Sequence, residues 1–384
     1  MKPGKIMDLN EHEKLRYSRH LMLPEFGTKG QLLLKQAKIL VVGAGGLGSP
    51  VLSYLGAAGI GTIGIVDFDI VSLSNLQRQV LFQTNDVGAL KCKVAAKHLQ
   101  AINDHISVLT FPERLTNQNA DSIIRNFDLI IDCTDNFESR YLINDACVLL
   151  EKPFIHGSVN RYAGQFALFN NVLENGKRGA TYRCIFPHPP EPGSVQSCHE
   201  QGVLNTLPGL IGMMQAHIAL KWLAKIGTFE RTMLHYFDGN SFDWNQIVIE
   251  RNDQSWPGFP VDLPAFLNYN YEDYCSEYSS HQELNSNNLK HWMELQQTTQ
   301  IIDVRQPGER PVIISNHVKL IPLEQLEAKA SDLRPEIPTL LVCASGYRSK
   351  IGADILFKKF GFAEVKSLVG GAQVLNEYLK GEMP

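Results

Sequence analysis

At 384 residues the chain is long enough for one large domain and a second, smaller one. A net charge of −4 with 20% charged residues gives no reason to expect nucleic acid or an anionic membrane as a partner. No apolar run approaches the roughly 18 residues of a membrane span, and the seven cysteines, an odd number without a CxxC pair, argue against a disulfide framework.

The N-terminal MKPGKIMDLNEHEKLR has no apolar signal core, so a cytoplasmic protein is expected. Residues 10–36 read as helical, with Arg16, Arg19 and His20 clustered. Strands are then predicted over 38–43, 62–67, 106–111, 127–133 and 153–157, alternating with helices over 47–58, 88–102, 118–125 and 137–150. Such alternation predicts an α/β fold, a mostly parallel sheet covered on both faces. RYAGQFALF, 161–169, alternates and predicts an antiparallel strand. Residues 171–201, rich in proline and glycine, read as a long loop. A helix over 204–226 and strands over 233–238 and 246–250 complete the first domain, 1–250. Residues 251–286, with Tyr, Ser and Asn prominent, read as a flexible linker. A small α/β domain, 287–384, follows, with strands over 300–304, 338–343 and 365–369, helices over 289–297 and 349–359, and a terminal helix.

The first chemical signal is KILVVGAGGLGSP. An apolar run ends in Gly43, Gly45, Gly46 and Gly48, where a strand gives way to a helix. That geometry offers backbone N–H groups and a helix N-terminus to a phosphate. Asp67, 19 residues past Gly48, is placed to accept ribose hydroxyls. Alone, the pattern is a nucleotide site of unspecified kind, with NAD the obvious reading and a plain glycine-rich turn the structural one. Asp67, Asp69, Asn75, Arg78, Lys91, Asp135 and Asn136 all fall near C-terminal ends of predicted strands, which converge on one crevice in a doubly wound sheet. Arg78 and Lys91 suit a triphosphate, and Asp135 suits Mg²⁺. This favours transfer of a nucleotidyl group over transfer of hydride.

GAGGLG, VDFDIVSLSNLQRQVLF, VGALKCKVA, IIDCTDN and SCHEQGVLNTLPGLIG resemble the MoeB/ThiF family, bacterial relatives of ubiquitin-activating enzymes, over roughly 8–250. The resemblance implies a Rossmann-like, mostly parallel sheet with an antiparallel extension. It implies an ATP loop at Gly43, Gly45, Gly46 and Gly48, ribose binding by Asp67, phosphate contacts from Asn75, Arg78 and Lys91, and Mg²⁺ at Asp135. Arg19, within RYSRH, matches a residue that reaches into the neighbouring subunit's site, implying a homodimer. The implied substrate is the C-terminal Gly-Gly carboxylate of a small ubiquitin-like sulfur carrier resembling MoaD or ThiS, activated as an acyl-adenylate. Many relatives hold a structural zinc with two CxxC pairs. Here Thr181 replaces the first cysteine, only Cys184 remains, and NDQSWPG carries none of the second pair, so no structural zinc is expected. Packing by Trp244, Trp256 and prolines is expected in its place. Cys198 matches a family cysteine that in some members joins the carrier covalently or relays sulfur; His199 is beside it.

Cys343 ends an apolar strand and opens CASGYRS before a helix, and Arg348 adds a positive charge. Backbone N–H groups around a thiolate at a helix N-terminus stabilise it and a persulfide built on it. The loop resembles that of rhodanese-like sulfurtransferases, over about 287–384, with IIDVRQPGE (Asp303, Arg305, Glu309) and LVGGAQVL (Gly370, Gly371) as further matches. A Cys-based phosphatase usually has five residues between Cys and Arg, and here there are four. The expectation is therefore an adenylyltransferase with its own sulfurtransferase domain. It would use ATP and Mg²⁺, take sulfur from a persulfide donor resembling a cysteine desulfurase, and deliver it to the carrier as a thiocarboxylate. An NAD-dependent oxidoreductase and a non-catalytic scaffold are the alternatives.

Overall fold

The structure is a computed structural model that describes residues 8–190, 202–256, 258–276, 283–296, 298–313, 315 and 317–381. These fall into two compact units that divide at Tyr274 and Cys275. No described helix is long and apolar enough to cross a membrane.

The first unit is organised by an eight-stranded sheet. Its strands are β1 (Lys38–Val42), β2 (Thr62–Val66), β3 (Ser107–Phe111), β4 (Leu129–Asp132), β5 (Phe154–Asn160), β6 (Ala163–Phe169), β7 (Thr232–Asp238) and β8 (Asp243–Ile249). The spatial order is β3-β2-β1-β4-β5-β6-β7-β8. β1 to β5 are parallel and β6 to β8 antiparallel, as the residues from 161 onward predict. The apolar runs explain why the middle strands lie centrally: Ile39, Leu40, Val41, Leu129, Ile130 and Ile131 have no exposed surface. Strand order reverses between β1 and β4, so a crevice opens at the C-terminal ends of those two strands.

The N-terminal helical stretch is three helices, Glu11–Arg16, Ser18–Leu21 and Gly27–Gln36. Pro24 and Gly27, at φ 52°, mark the break before the last. The stretch read as a linker is in part docked on the first unit. Helix Leu263–Leu267 buries Phe266 completely, and Asn117 Nδ2 donates to the carbonyls of Phe266, Leu267 and Tyr269 at 3.2, 2.9 and 2.8 Å. Tyr271 Oη donates to Asp145 Oδ2 at 2.9 Å. Arg183, fully buried, pairs with both oxygens of Asp145 at 2.7 Å and donates to Tyr274 Oη at 2.7 Å. The tyrosines thus act as anchors with an apolar body and a satisfied hydroxyl.

The second unit is a five-stranded, all-parallel sheet of β9 (Glu283–Leu284), β10 (Gln300–Asp303), β11 (Val318–Leu320), β12 (Thr339–Val342) and β13 (Val365–Leu368). Its order is β11-β10-β12-β13-β9. The short outer strands β9 and β11 carry too little apolar pattern to be read from sequence. Helices Ser286–Leu295, Leu323–Lys329, Tyr347–Phe360 and Gly371–Leu379 accompany the sheet.

Candidate functional site

The crevice between β1 and β4 is a cleft of about 400 Å³. Gly43, Gly45, Gly46, Asp67, Asp69, Asn75, Arg78, Lys91, Asp135 and Asn136 all line it. Gly48 lies just behind, where it opens helix Gly48–Ala58. A Cβ on Gly48 would fall 2.1 Å from the Gly43 carbonyl oxygen. Gly43 itself has φ 95°, and a Cβ there would fall 2.8 Å from the Cys133 carbonyl oxygen. Backbone therefore meets backbone across the reversal point, and only glycine fits at both positions.

Asp67, at the end of β2, reaches across to this loop. Its Oδ2 accepts from Ala44 N at 2.7 Å and its Oδ1 from Asp69 N at 2.9 Å. Burial pushes the Asp67 carboxyl up, against the Ala44 hydrogen bond and the nearby Lys91 charge. Lys91, 5% exposed, donates from Nζ to Asp69 Oδ2 at 2.9 Å. Asn75 is buried in the turn Leu73–Asn75, where its Oδ1 accepts from Ser72 N at 3.2 Å. Arg78 is half-buried and donates from Nη1 to Ser74 O at 3.1 Å. Asp135 and Asn136 are exposed at the rim. Asn136 caps helix Phe137–Leu149, its Oδ1 accepting from Ser139 N at 2.9 Å. The cleft thus combines cations, a glycine loop with a helix N-terminus, and exposed carboxylates at Asp69, Glu113 and Asp135, a donor set for a nucleoside polyphosphate with a metal ion.

Arg19 is exposed, with Nη1 3.8 Å from Met22 Sδ, and is not among the residues lining the cleft. Cys198 and His199 lie outside the described residues. The sequence reading missed Gln79, which lines the cleft, is 4% exposed and leaves Oε1 without a hydrogen-bond partner. Its signal was available in NLQRQ, one residue past Arg78. Cys133 also lines the cleft. Burial, with the Asp132 charge beside it, pushes that thiol far up.

Cys184 is half-buried, and its sulfur accepts from Thr181 N at 3.4 Å, Asn252 N at 3.5 Å and Trp256 Nε1 at 3.4 Å. The two segments that would hold zinc in relatives therefore meet around one sulfur. Arg251 covers Trp256, 4.9 Å from its ring centre. Trp244 takes no part; it packs on Phe237 in the β7–β8 hairpin, because the alternation of β8 directs it there. Metal analysis of the purified protein is expected to find no stoichiometric zinc. Cys184→Ala should cost about 1 kcal/mol in a denaturant melt, and a much larger loss with co-purifying zinc would contradict the sulfur-centred arrangement.

In the second unit Cys343 follows β12 and is 1% exposed. Gly346 N donates to Sγ at 3.1 Å, and Ser349 Oγ lies 3.5 Å from it. Ser349 and Ser367 hydroxyls, 2.8 Å apart, both reach the Gly346 carbonyl. The LVGG segment buttresses the loop: Ala372 N donates to Cys343 O at 2.8 Å and Gly370 N to Ser345 O at 3.0 Å. Arg348 is held in a two-bond ion pair with Glu309, at 2.6 and 2.7 Å. Arg348 holds the Glu309 carboxyl below its ordinary range. Arg305 pairs in the same way with Asp303. The loop's added positive charge is thus matched by a carboxylate, and Gly346 N–H and the Ser349 hydroxyl reach the sulfur as neutral donors.

The ThiF family model matches residues 17–257 and the rhodanese-like domain model residues 286–377. The chain is 45% identical over 272 residues to a sulfur carrier protein adenylyltransferase of Thermus thermophilus, covering 70% of this chain and 99% of that one. It is 38% identical over 379 residues to a probable adenylyltransferase/sulfurtransferase, MoeZ, of Mycobacterium tuberculosis, covering 98% and 96%. The chain also matches the crystal structure of E. coli MccB with ATP in fold, at a TM-score of 0.53 and 23% identity over 62% of this chain and 72% of that chain. The chain belongs to the ThiF family, as an adenylyltransferase joined to a rhodanese-like sulfurtransferase domain.

Proposed function

We propose that the protein adenylates the C-terminal Gly-Gly carboxylate of a small ubiquitin-like sulfur carrier and then converts it to a thiocarboxylate with sulfur carried on Cys343. The observation that carries the first half is the convergence of Lys91, Arg78, Asn75 and Asp67 on the glycine loop at the β1–β4 reversal. The carboxylate oxygen attacks the α-phosphorus of ATP, the bond to pyrophosphate breaks, and an acyl-adenylate forms. No protein nucleophile is needed, only charge neutralisation and alignment. Asp67 is suited to the ribose, and Asn75, Arg78 and Lys91 to the phosphates. Asp135 and Asn136 edge the same cleft.

Mg²⁺ fits this cleft. Among the described residues no group of three His, Cys, Asp or Glu side chains is placed to hold a metal. Mg²⁺ is commonly held by one or two carboxylates plus substrate phosphates and waters, and Asp135 supplies such a carboxylate. When bound it would neutralise charge on the departing pyrophosphate.

In the second half, the terminal sulfur of a Cys343 persulfide attacks the acyl carbon and AMP leaves. The carrier is then joined to Cys343 through an acyl disulfide. A second thiol must attack Cys343 Sγ to release the thiocarboxylate, leaving a disulfide for an external reductant to reopen; Cys198 is the candidate. The persulfide itself comes from an outside donor resembling a cysteine desulfurase. The Gly346 N–H and the Ser349 hydroxyl support a sulfur anion here. ATP–pyrophosphate exchange that requires a carrier ending in Gly-Gly tests the first half, and mass spectrometry of the carrier after addition of a persulfide donor tests the second. Exchange without any carrier dependence, or reduction of NAD in its place, would remove the reading.

Arg19 serves the partner's cleft in a homodimer under this proposal. Arg19→Ala and Lys91→Ala proteins, each inactive alone, should recover about one quarter of wild-type exchange when mixed and allowed to trade subunits. Full absence of recovery in a mixture proven to contain hybrid dimers would place Arg19 outside the site.

A further inference from the structure

We propose that the buried Asp132–His156 pair is a positioning device that holds the turn bearing Asp135 in the geometry needed for metal-dependent nucleotide binding. This rests on the adenylation reading of the cleft.

The two residues are direct partners across β4 and β5. His156 has no exposed surface and Asp132 has 1%. His156 Nδ1 lies 2.8 Å from Asp132 Oδ2. The other carboxylate oxygen, Oδ1, accepts from Thr134 N at 3.0 Å and Thr134 Oγ1 at 2.6 Å. One side chain therefore joins the sheet interior to the turn Asp132–Asp135. Gln215, from helix Thr206–Leu223, fixes the backbone of the same place: its Nε2 donates to Asp132 O at 2.8 Å and lies 3.4 Å from Ile155 O. Asp135, three residues on, ends this turn at the rim of the cleft, so the backbone that carries it is fixed by the Asp132 and Gln215 contacts.

The pair is costly, which argues for a task beyond filling space. His156 Nε2 is buried with no hydrogen-bond partner, which is destabilising. An apolar residue at 156 would avoid that penalty and would still face Tyr182 and Phe169, whose rings lie 4.9 and 6.3 Å from the imidazole. It would also strand the Asp132 carboxylate without its histidine in the core. Burial drives Asp132 up, and His156, Arg140 and the Thr134 hydroxyl together leave the carboxyl below its usual range. Burial keeps His156 below the usual imidazole range, so its Nδ1 hydrogen is the donor to a carboxylate that stays ionised. An ionised Asp132 is the form that accepts both Thr134 hydrogens. The histidine thus acts at one remove, through Asp132 and Thr134, on the residue at the rim. Loss of a group that orients a ligand in this way costs about 10–100-fold in metal affinity.

The test is a Mg²⁺ titration of ATP binding by calorimetry on the full chain, with no carrier present. His156→Leu should raise the half-saturating Mg²⁺ concentration at least about tenfold, while ATP binding measured in chelator changes less than about twofold. His156→Asn, whose amide can donate to Asp132, should restore most of the Mg²⁺ response. Thr134→Val, which removes the 2.6 Å contact from the other side, should shift the response in the same direction. That variant decides the matter if His156→Leu does not fold. An unchanged Mg²⁺ response in a folded His156→Leu protein, or in Thr134→Val, overturns the proposal. So does a shift that His156→Asn fails to relieve. Wild-type protein whose ATP binding ignores Mg²⁺ would defeat the adenylation reading as well, which separates the two failures.

Discussion

Cys343→Ser protein is expected to make no thiocarboxylate, a loss of at least about a thousandfold relative to wild type. The substitution changes one atom in a loop whose shape is held by other groups. Gly346 N–H, Ser349 and the Ala372-to-Cys343 backbone bond all remain in place. A hydroxyl is not a leaving group for sulfur exchange and does not accept a sulfur atom from a persulfide donor, so the effect belongs to chemistry rather than folding. The readout is the mass of the carrier C-terminus after incubation with ATP and a persulfide donor, where one oxygen is replaced by sulfur. Carrier-dependent pyrophosphate exchange in the same sample reports on the first unit. Thiocarboxylate formed at wild-type rate by the serine variant would sink the assignment of Cys343 as the sulfur-carrying residue.

Lys91→Ala should lower the rate of carrier-dependent pyrophosphate exchange by about 10²–10³, equivalent to roughly 3–4 kcal/mol of transition-state stabilisation. The size follows from burial. Lys91 is 5% exposed and aimed into the cleft from the start of helix Lys91–Ile102, so its charge is weakly screened by water. Its present partner is Asp69, a carboxylate with half its surface open to solvent. A phosphate arriving in the cleft competes for the same Nζ, and Asp69 is left able to turn toward water. Removing the lysine takes away the phosphate contact and leaves Asp67 and Asp69 facing an anionic substrate. Lys91→Arg should recover only part of the rate, because a planar fork replaces a compact ammonium in a closed space. A loss smaller than about fivefold in Lys91→Ala would count against phosphate binding there. An equal loss in Asp69→Ala would show that the ion pair itself, rather than the cation, is what the reaction needs.

The parts of the fold legible in the sequence are those where one physical signal dominates. Ile39 to Val42 and Leu129 to Ile131 are unbroken apolar runs, and their burial on both faces made them strands of a parallel sheet. The glycine loop was legible because Gly43 and Gly48 leave no room for any other residue. The docked segment was not, because tyrosine reads equally as a solvated residue or as an anchor. Only the positions of Asn117 and Asp145, about 150 and 126 residues earlier in the chain, reveal that Leu267 and Tyr271 are held. Arg348 reads from the sequence as a positive charge at the sulfur loop, and its pairing with Glu309 depends on a contact 39 residues distant. The Asp132–His156 pair was invisible for the same reason: a lone histidine in an apolar strand carries no sign of what faces it across the sheet.

Cys133 bears on how an activated carboxyl survives. It is a thiol in the wall of the very cleft where an acyl-adenylate would form, and thiolates capture such esters readily. Burial and the adjacent Asp132 charge keep it protonated, so the competing thioester route is closed without removing the sulfur atom. Under the proposed function, burial first and the carboxylate that shapes the turn second would keep the nearest thiol from the intermediate. On the same reading, the sulfur beside the reactive ester is the inert one, and Cys343, the sulfur that carries the transferred atom, belongs to a separate unit of the chain.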